Sequence, residues 1–185
     1  MLRVTFKYAL IISYLLFTGY KAFATPANLD NFIANPKEVG SGDYKFLFMK
    51  IFTATTYAPE GKLDFNQPYA LQLKYERDLK GEAIVKKTIE EINHQSNKVS
   101  QTELNQWQEE LNKIIPNVSK GSVLTGIYTS KEQTLFFDSS WKLLGVINGR
   151  EFAEHFFGIW LGPDSSDKKL RNKLLGLVSN DKKER

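Results

Sequence analysis

Between Tyr69 and Tyr75 the side chains alternate, with Tyr69, Leu71, Leu73 and Tyr75 on one face and Ala70, Gln72 and Lys74 on the other. A period of two predicts a half-buried strand. Beyond Arg77 the period changes, because Leu79, Ala83, Ile84, Thr88, Ile89 and Ile92 recur at helical spacing with Glu82, Lys86, Lys87, Glu90 and Glu91 on the wet side. A second helix starts at Ser100, where Glu103 three places on completes a capping box; Leu104, Trp107, Leu111 and Ile114 form its stripe and Pro116 ends it. Upstream, Gly40-Ser41-Gly42 reads as a turn. Tyr44 to Tyr57 follows, rich in Phe, Ile, Thr and Tyr, with Phe46 and Phe48 on one face and Leu47 and Met49 on the other. This is one strand buried on both sides, or two strands joined by a bend.

Gly121 to Thr129 and Gln133 to Asp138 read as a hairpin, and Trp141 to Val146 as a further strand. Two helices close the chain: Gly149 to Leu161, with Phe152, Phe156, Ile159 and Trp160 inward, and Ser166 to Val178, with Leu170, Leu174 and Leu177 inward; Gly162-Pro163 separates them. Strands, two helices, strands, two helices is the order of an α+β fold, an open antiparallel sheet covered on one face by helices. Thr25 to Val39, polar and carrying Pro26 and Pro36, is expected to run over the surface.

The N-terminus changes the picture of where the chain acts. Arg3 and Lys7 precede an apolar run from Tyr8 to Phe17, and Ala22-Phe23-Ala24 supplies small residues for a peptidase. That is a secretory signal, residues 1–24, which predicts a periplasmic or secreted domain of residues 25–185. The run is short of the roughly 20 residues a membrane span needs, so no stable span is expected after cleavage; a retained anchor is the alternative, since Lys21 lies close to the cut. The chain has no Cys, so packing alone must hold an exported domain together, without disulfides or thiolate metal sites.

The net charge of +4 includes Arg3, Lys7 and Lys21; without them 22 basic side chains face 21 acidic ones, a net +1. A near-neutral domain lacks the basic footprint of a nucleic-acid binder. The basic residues of the last helix and tail, from Lys168 to Arg185, are interrupted by Asp181 and Glu184 and read as a solvated face. Of the two His, His94 is expected at the surface, and His155 pairs with Glu151 one turn earlier on an outer helix face. No HExxH, GxSxG, GxxxxGK[ST] or GxGxxG pattern occurs, so metal, hydrolase and nucleotide chemistry have no support, and no cofactor is expected. Asn117-Val118-Ser119 is a glycosylation sequon, relevant only in a eukaryotic secretory route. What stands out is the aromatic content, thirteen Phe, eight Tyr and three Trp, concentrated in the strands and in Phe152 to Trp160. Such stripes build a core, or an aromatic-lined pocket where helices stand off a sheet.

Three segments in order, Gly40-Ser41-Gly42-Asp43-Tyr44 with Lys50 to Pro59, Tyr69 to Arg77, and Phe152 to Gly162 with Leu170-Arg171 and Leu174-Leu175-Gly176, resemble the exported bacterial branch of the chalcone isomerase-like family. The resemblance implies an open-faced β-sandwich with a layer of helices. Plant enzymes of the family close a chalcone ring using a hydrophobic cleft, an Arg, Thr residues, and a Tyr and Asn that order a water; members without that activity bind fatty acids.

Carried onto this chain, the Arg falls at Tyr44, with Lys45 the nearest cation. The strand Thr falls at Thr53, with Thr55 as second candidate. The Tyr and Asn fall between Arg77 and Lys87, where neither type occurs, and a late-helix hydroxyl falls at Ile159. Ring closure develops enolate charge that needs donors, and Thr53 with a displaced Lys45 is a poor substitute for a planar guanidinium. The expectation is therefore a non-catalytic binding protein for a small apolar or amphipathic ligand such as a fatty acid, with Tyr44, Lys45, Thr53 and Thr55 lining the cleft and Lys45 nearest the carboxylate. The alternative is an isomerase or lyase acting on a chalcone-like enone, with Thr53 as its candidate catalytic residue. A scaffold module is a third class. Arg77, at a strand end, is expected to sit on the surface.

Overall fold

The computed structural model describes residues 28–178. The expected signal segment, with cleavage near Ala24, and the basic residues beyond 178 lie outside the described residues. Six strands, β1 (Pro36–Phe46), β2 (Met49–Pro59), β3 (Tyr69–Tyr75), β4 (Val123–Tyr128), β5 (Gln133–Phe137) and β6 (Leu143–Asn148), form one sheet in sequential order. Every neighbouring pair is antiparallel. Helices α1 (Gly81–Asn93) and α2 (Gln101–Ile114) fill the excursion between β3 and β4, while α3 (Arg150–Leu161) and α4 (Lys168–Leu174) follow β6. The α+β open sheet expected from the order of periods is thus the fold observed.

Strand parity sorts the core into two layers. Tyr69, Leu71, Leu73 and Tyr75 all pack under the helices with Phe52, Leu124, Phe136 and Phe156. The opposite face carries Tyr57, Ala70, Ile127 and Phe137, and Leu29 and Ile33 of the N-terminal segment seal that smaller patch. Leu29 and Ile33 are buried, so the stretch before β1 is not the surface run its polarity suggests: two apolar anchors, one in a short 3-10 turn and one two residues beyond it, dock it.

The bend alternative for Tyr44 to Tyr57 is the one realised. Leu47 and Phe48 form a two-residue turn between the paired residues Phe46 and Met49, so these four side chains stand at an exposed hairpin tip rather than inside a sheet. Gly40-Ser41-Gly42 is not a turn. It lies within β1, where Gly40 and Gly42 face α4 so closely that a Cβ on Gly40 would sit 1.8 Å from the Lys173 carbonyl oxygen. The glycines are there for close approach of backbone to helix rather than for chain reversal.

The capping box at Ser100 forms as its spacing predicts, with Ser100 and Glu103 each satisfying the other's backbone. Leu104, Trp107 and Leu111 are buried on the stripe below it. His155 departs from expectation: it is buried among Trp107 and the α1–α2 connection instead of pairing with Glu151 on an outer face. The Gln95 amide donates to the His155 backbone oxygen at 2.7 Å, which turns the Gln95 Oε1 toward the ring Nδ1 at 2.9 Å. An Nδ1–H tautomer satisfies that acceptor and leaves Nε2 facing the Asn97 amide nitrogen at 3.5 Å. Burial holds the His155 pKa below its ordinary value, against the opposing pull of Glu151, Glu154 and Glu103.

Candidate ligand-binding site

The helix layer does not close tightly on the sheet. Between β2–β5 below and α1, α3 and α4 above lies a cavity of about 260 Å³, near the lower end of the range usual for small-molecule sites. Its floor is aliphatic and aromatic, with Leu71, Leu73 and Leu124 from central strands and Phe136 beside them, and Phe156 of α3 faces this floor. The Phe156 ring meets those of Phe136, Phe152, Phe157 and Trp160 at centroid separations of 5.2–5.5 Å. The contact with Phe152 is stacked and the other three are edge-to-face; together they fix the ring, so the wall is preformed. Gly126 opposite leaves room under it.

Polar groups gather where the cavity opens. Lys87, Thr88 and Glu91 come from α1, Ser165, Ser166 and Asp167 from the α3–α4 connection, and Tyr44 from β1. Helical spacing explains the first set: Ile84 and Thr88 continue the inward stripe, and Lys87 and Glu91 stand one turn apart at its margin. Among the described lining residues Lys87 is the only Lys, Arg or His. Its ammonium lies 2.7 Å from Glu91 and 3.8 Å from Glu90. The hydrogen bond to Glu91 is the main reason its pKa is raised, with the Tyr44 phenol adding to the effect, so it carries a full positive charge at the opening. Asp167 is already engaged, capping α4 through the Leu170 amide at 2.9 Å. Deeper in, Tyr75 is 2 % exposed and lines the cavity. Burial pushes its phenol pKa far up, keeping it a neutral donor, and no hydrogen bond to its hydroxyl is found among the described residues.

The model of the chalcone isomerase-like family matches residues 39–176, which takes in β2 to β6, all four helices and β1 apart from its first three residues. The chain belongs to the chalcone isomerase-like family. An uncharacterized protein of Haemophilus influenzae is 26% identical over 149 residues, covering 80% of this chain and 72% of that one. Among solved structures, the fatty-acid binding protein AtFAP1 of Arabidopsis thaliana superposes with a TM-score of 0.59 at 9% identity, over 78% of this chain and 88% of that one. At that identity the likeness is one of fold.

Within this family member the residues singled out from sequence part company. Tyr44 lines the cavity, its ring stacked on Phe52 at 5.0 Å. Thr53 and Thr55 do not, because they alternate with Phe52 and Ala54 and so project from the opposite face of β2. There Thr53 donates to Asp43 at 3.0 Å and Thr55 meets Ser41 at 2.9 Å. Lys45 is exposed next to the hairpin tip and is absent from the wall. Arg77 is exposed, its guanidinium 2.6 Å from the Met49 sulfur rather than paired with Glu76 or Asp78. A bulge explains one surprise: Tyr44 pairs with Phe52 but Lys45 with Lys50, so Ile51 is the extra residue and turns toward the cavity alongside Phe52. Lys87 and Glu91, expected on the wet side of α1, stand instead at the margin of the cavity, and their i,i+4 pairing beside the Ile84/Thr88 stripe is the signal the sequence carries for it.

Proposed function

We propose that this chain is an exported, non-catalytic binding protein for a small apolar or amphipathic molecule, such as a fatty acid, held in the cavity between sheet and helices. The observation that carries the reading is the lining itself, an apolar, aromatic interior that opens, among the described residues, at a single cation, Lys87. An acyl chain would replace water along Leu71, Leu73, Leu124 and Phe136, where burial of apolar area drives binding. A carboxylate at the opening would share Lys87 with Glu91 and accept from Tyr44 in charge-assisted hydrogen bonds. A fold neighbour named for fatty-acid binding supports this ligand class, and the signal-like leader supports delivery to the periplasm or beyond.

Turnover of an enone is the weaker reading, since the described lining offers Lys87 and neutral hydroxyls but no guanidinium where enolate charge would develop. The test is native mass spectrometry of protein isolated from its own compartment, combined with thermal melting in the presence of fatty acids of graded length. Ligand at a hundred times its Kd stabilises the fold by about 2.7 kcal/mol, a readily measured shift. Absence of co-purifying lipid together with absence of any shift would sink the proposal. A chalcone turnover assay that rises above background and falls on removal of Lys87 would replace it with the enzyme reading.

A further inference from the structure

Phe46, Leu47, Phe48 and Met49 are 55%, 71%, 101% and 44% exposed, four consecutive large apolar side chains at the tip of the β1–β2 hairpin. Two features show that this tip is held outward against local preference. Leu47 and Phe48 both have positive φ, 45° and 65°, as a two-residue hairpin turn of this kind requires. Asn-Gly meets that requirement at little cost, whereas bulky L-residues are strained there. Just below the tip, Lys45 and Lys50 are partners directly across the ladder, a like-charge pairing that weakens a sheet. Lys50 is compensated by Asp43 at 2.8 Å and Glu76 at 3.8 Å. Lys45 and the neighbouring Arg77 make no ion pair among the described residues.

We propose that this tip is a membrane-docking finger, in which Leu47 and Phe48 enter the acyl region of an anionic bilayer and Lys45 and Arg77 meet its headgroup phosphates. The vertical order of charge and apolarity fits a lipid surface, where amphipathic elements bury their apolar part just below a zone of negative charge. A second copy docked tip to tip would bring the uncompensated Lys45 and Arg77 of each chain against those of the other. A protein groove would have to desolvate Lys45 and Arg77, which headgroups do not demand. Docking of this sort is peripheral; no helix of the described residues is long and apolar enough to cross a membrane.

The finger is also placed to serve the cavity. Tyr44 and Ile51, two residues below Phe46 and Met49 on the same two strands, line it, so a docked tip would bring the opening to the lipid surface. That consequence rests on the ligand reading given above, whereas the docking itself does not.

The test compares the wild-type chain with the L47N/F48G variant, both carrying the same N-terminus, by flotation with phosphatidylglycerol-rich and with purely phosphatidylcholine vesicles. Asn-Gly suits the turn, so the variant is expected to melt no lower than wild type. Each apolar side chain withdrawn from the bilayer is worth roughly tenfold in partitioning, so the variant should float at least tenfold less. L47W/F48W should float as well as wild type, and K45E should lose flotation only with the anionic vesicles. The proposal fails if wild type stays unbound with both vesicles, or if L47N/F48G floats equally. It also fails if light scattering shows wild type dimerising through the tip without floating. Fatty-acid titration of L47N/F48G in the absence of vesicles should match wild type; loss of fatty-acid binding by both proteins would count against the cavity reading and leave the finger standing.

Discussion

Adding one methyl group at Gly40 should damage both the fold and the cavity. A Cβ there would lie 1.8 Å from the Lys173 carbonyl oxygen, 3.0 Å from its carbon and 3.1 Å from the Gly176 nitrogen. All three are backbone atoms, which cannot rotate aside. Restoring an ordinary carbon–oxygen contact requires α4 to withdraw by about 1.5 Å. Leu170 and Leu174, 3% and 0% exposed, are the side chains that lose by this. Burying a Leu contributes about 1.5–3 kcal/mol, and a gap of this size forfeits about half or more of the contact energy. Gly40→Ala should therefore cost about 2–4 kcal/mol, a large share of the roughly 5–15 kcal/mol that a domain possesses. Gly42→Ala is the internal control, because the atom nearest its Cβ is the mobile Leu170 Cδ1 at 2.8 Å; it should cost only about 1 kcal/mol. Urea unfolding followed by Trp fluorescence reads both values. Leu170 and Asp167 line the cavity, so Gly40→Ala should also weaken fatty-acid binding. If Gly40→Ala unfolds within about 0.5 kcal/mol of wild type, or Gly42→Ala costs as much, the close approach of α4 to β1 is not what these glycines provide.

Further outcomes follow from the site and its surroundings. Lys87→Met should weaken binding of a fatty acid about five- to tenfold, in line with loss of one partly exposed charge-assisted hydrogen bond, while affinity for the corresponding alcohol changes little; isothermal titration that finds Lys45→Met the more harmful substitution would move the headgroup to the hairpin. Thr53→Val and Thr55→Val, on the far face of β2, should leave ligand affinity unchanged in the same titration. Because burial lowers the folded pKa of His155, its stabilising contribution is complete above the ordinary value of 6.5 and is lost as pH falls through the lower folded value. The melting temperature of wild type should accordingly drop more between pH 8 and pH 5 than that of His155→Gln, and parallel curves would refute the burial account. Ser100→Ala removes one half of the capping box and should cost about 1 kcal/mol by urea unfolding.

Local periodicity determined most of the architecture. Tyr69 to Tyr75 was legible as a strand with its inward face correct, because alternation alone chooses which side chains share a face. Ser100 with Glu103 announced the start of α2 because a capping box is satisfied within four residues. Tertiary structure decided what local pattern leaves open. Gly40-Ser41-Gly42 has the composition of a turn, and only the arrival of α4 from more than a hundred residues away explains the glycines as a seat. Thr53 and Thr55 could be placed on a strand, yet which face looks toward the cavity depended on the pairing of β2 with β1 and on the side the helices take. His155 carries the spacing of a surface pair but is drawn inside by Gln95 and Trp107, partners from other helices and connections. Lys87 looked like one more solvated charge on α1, and it became the cation at the opening because α3 and α4 stop short of covering it. Residue type and spacing act over a few residues, whereas a cavity is a gap between elements, and its lining is settled only when those elements pack.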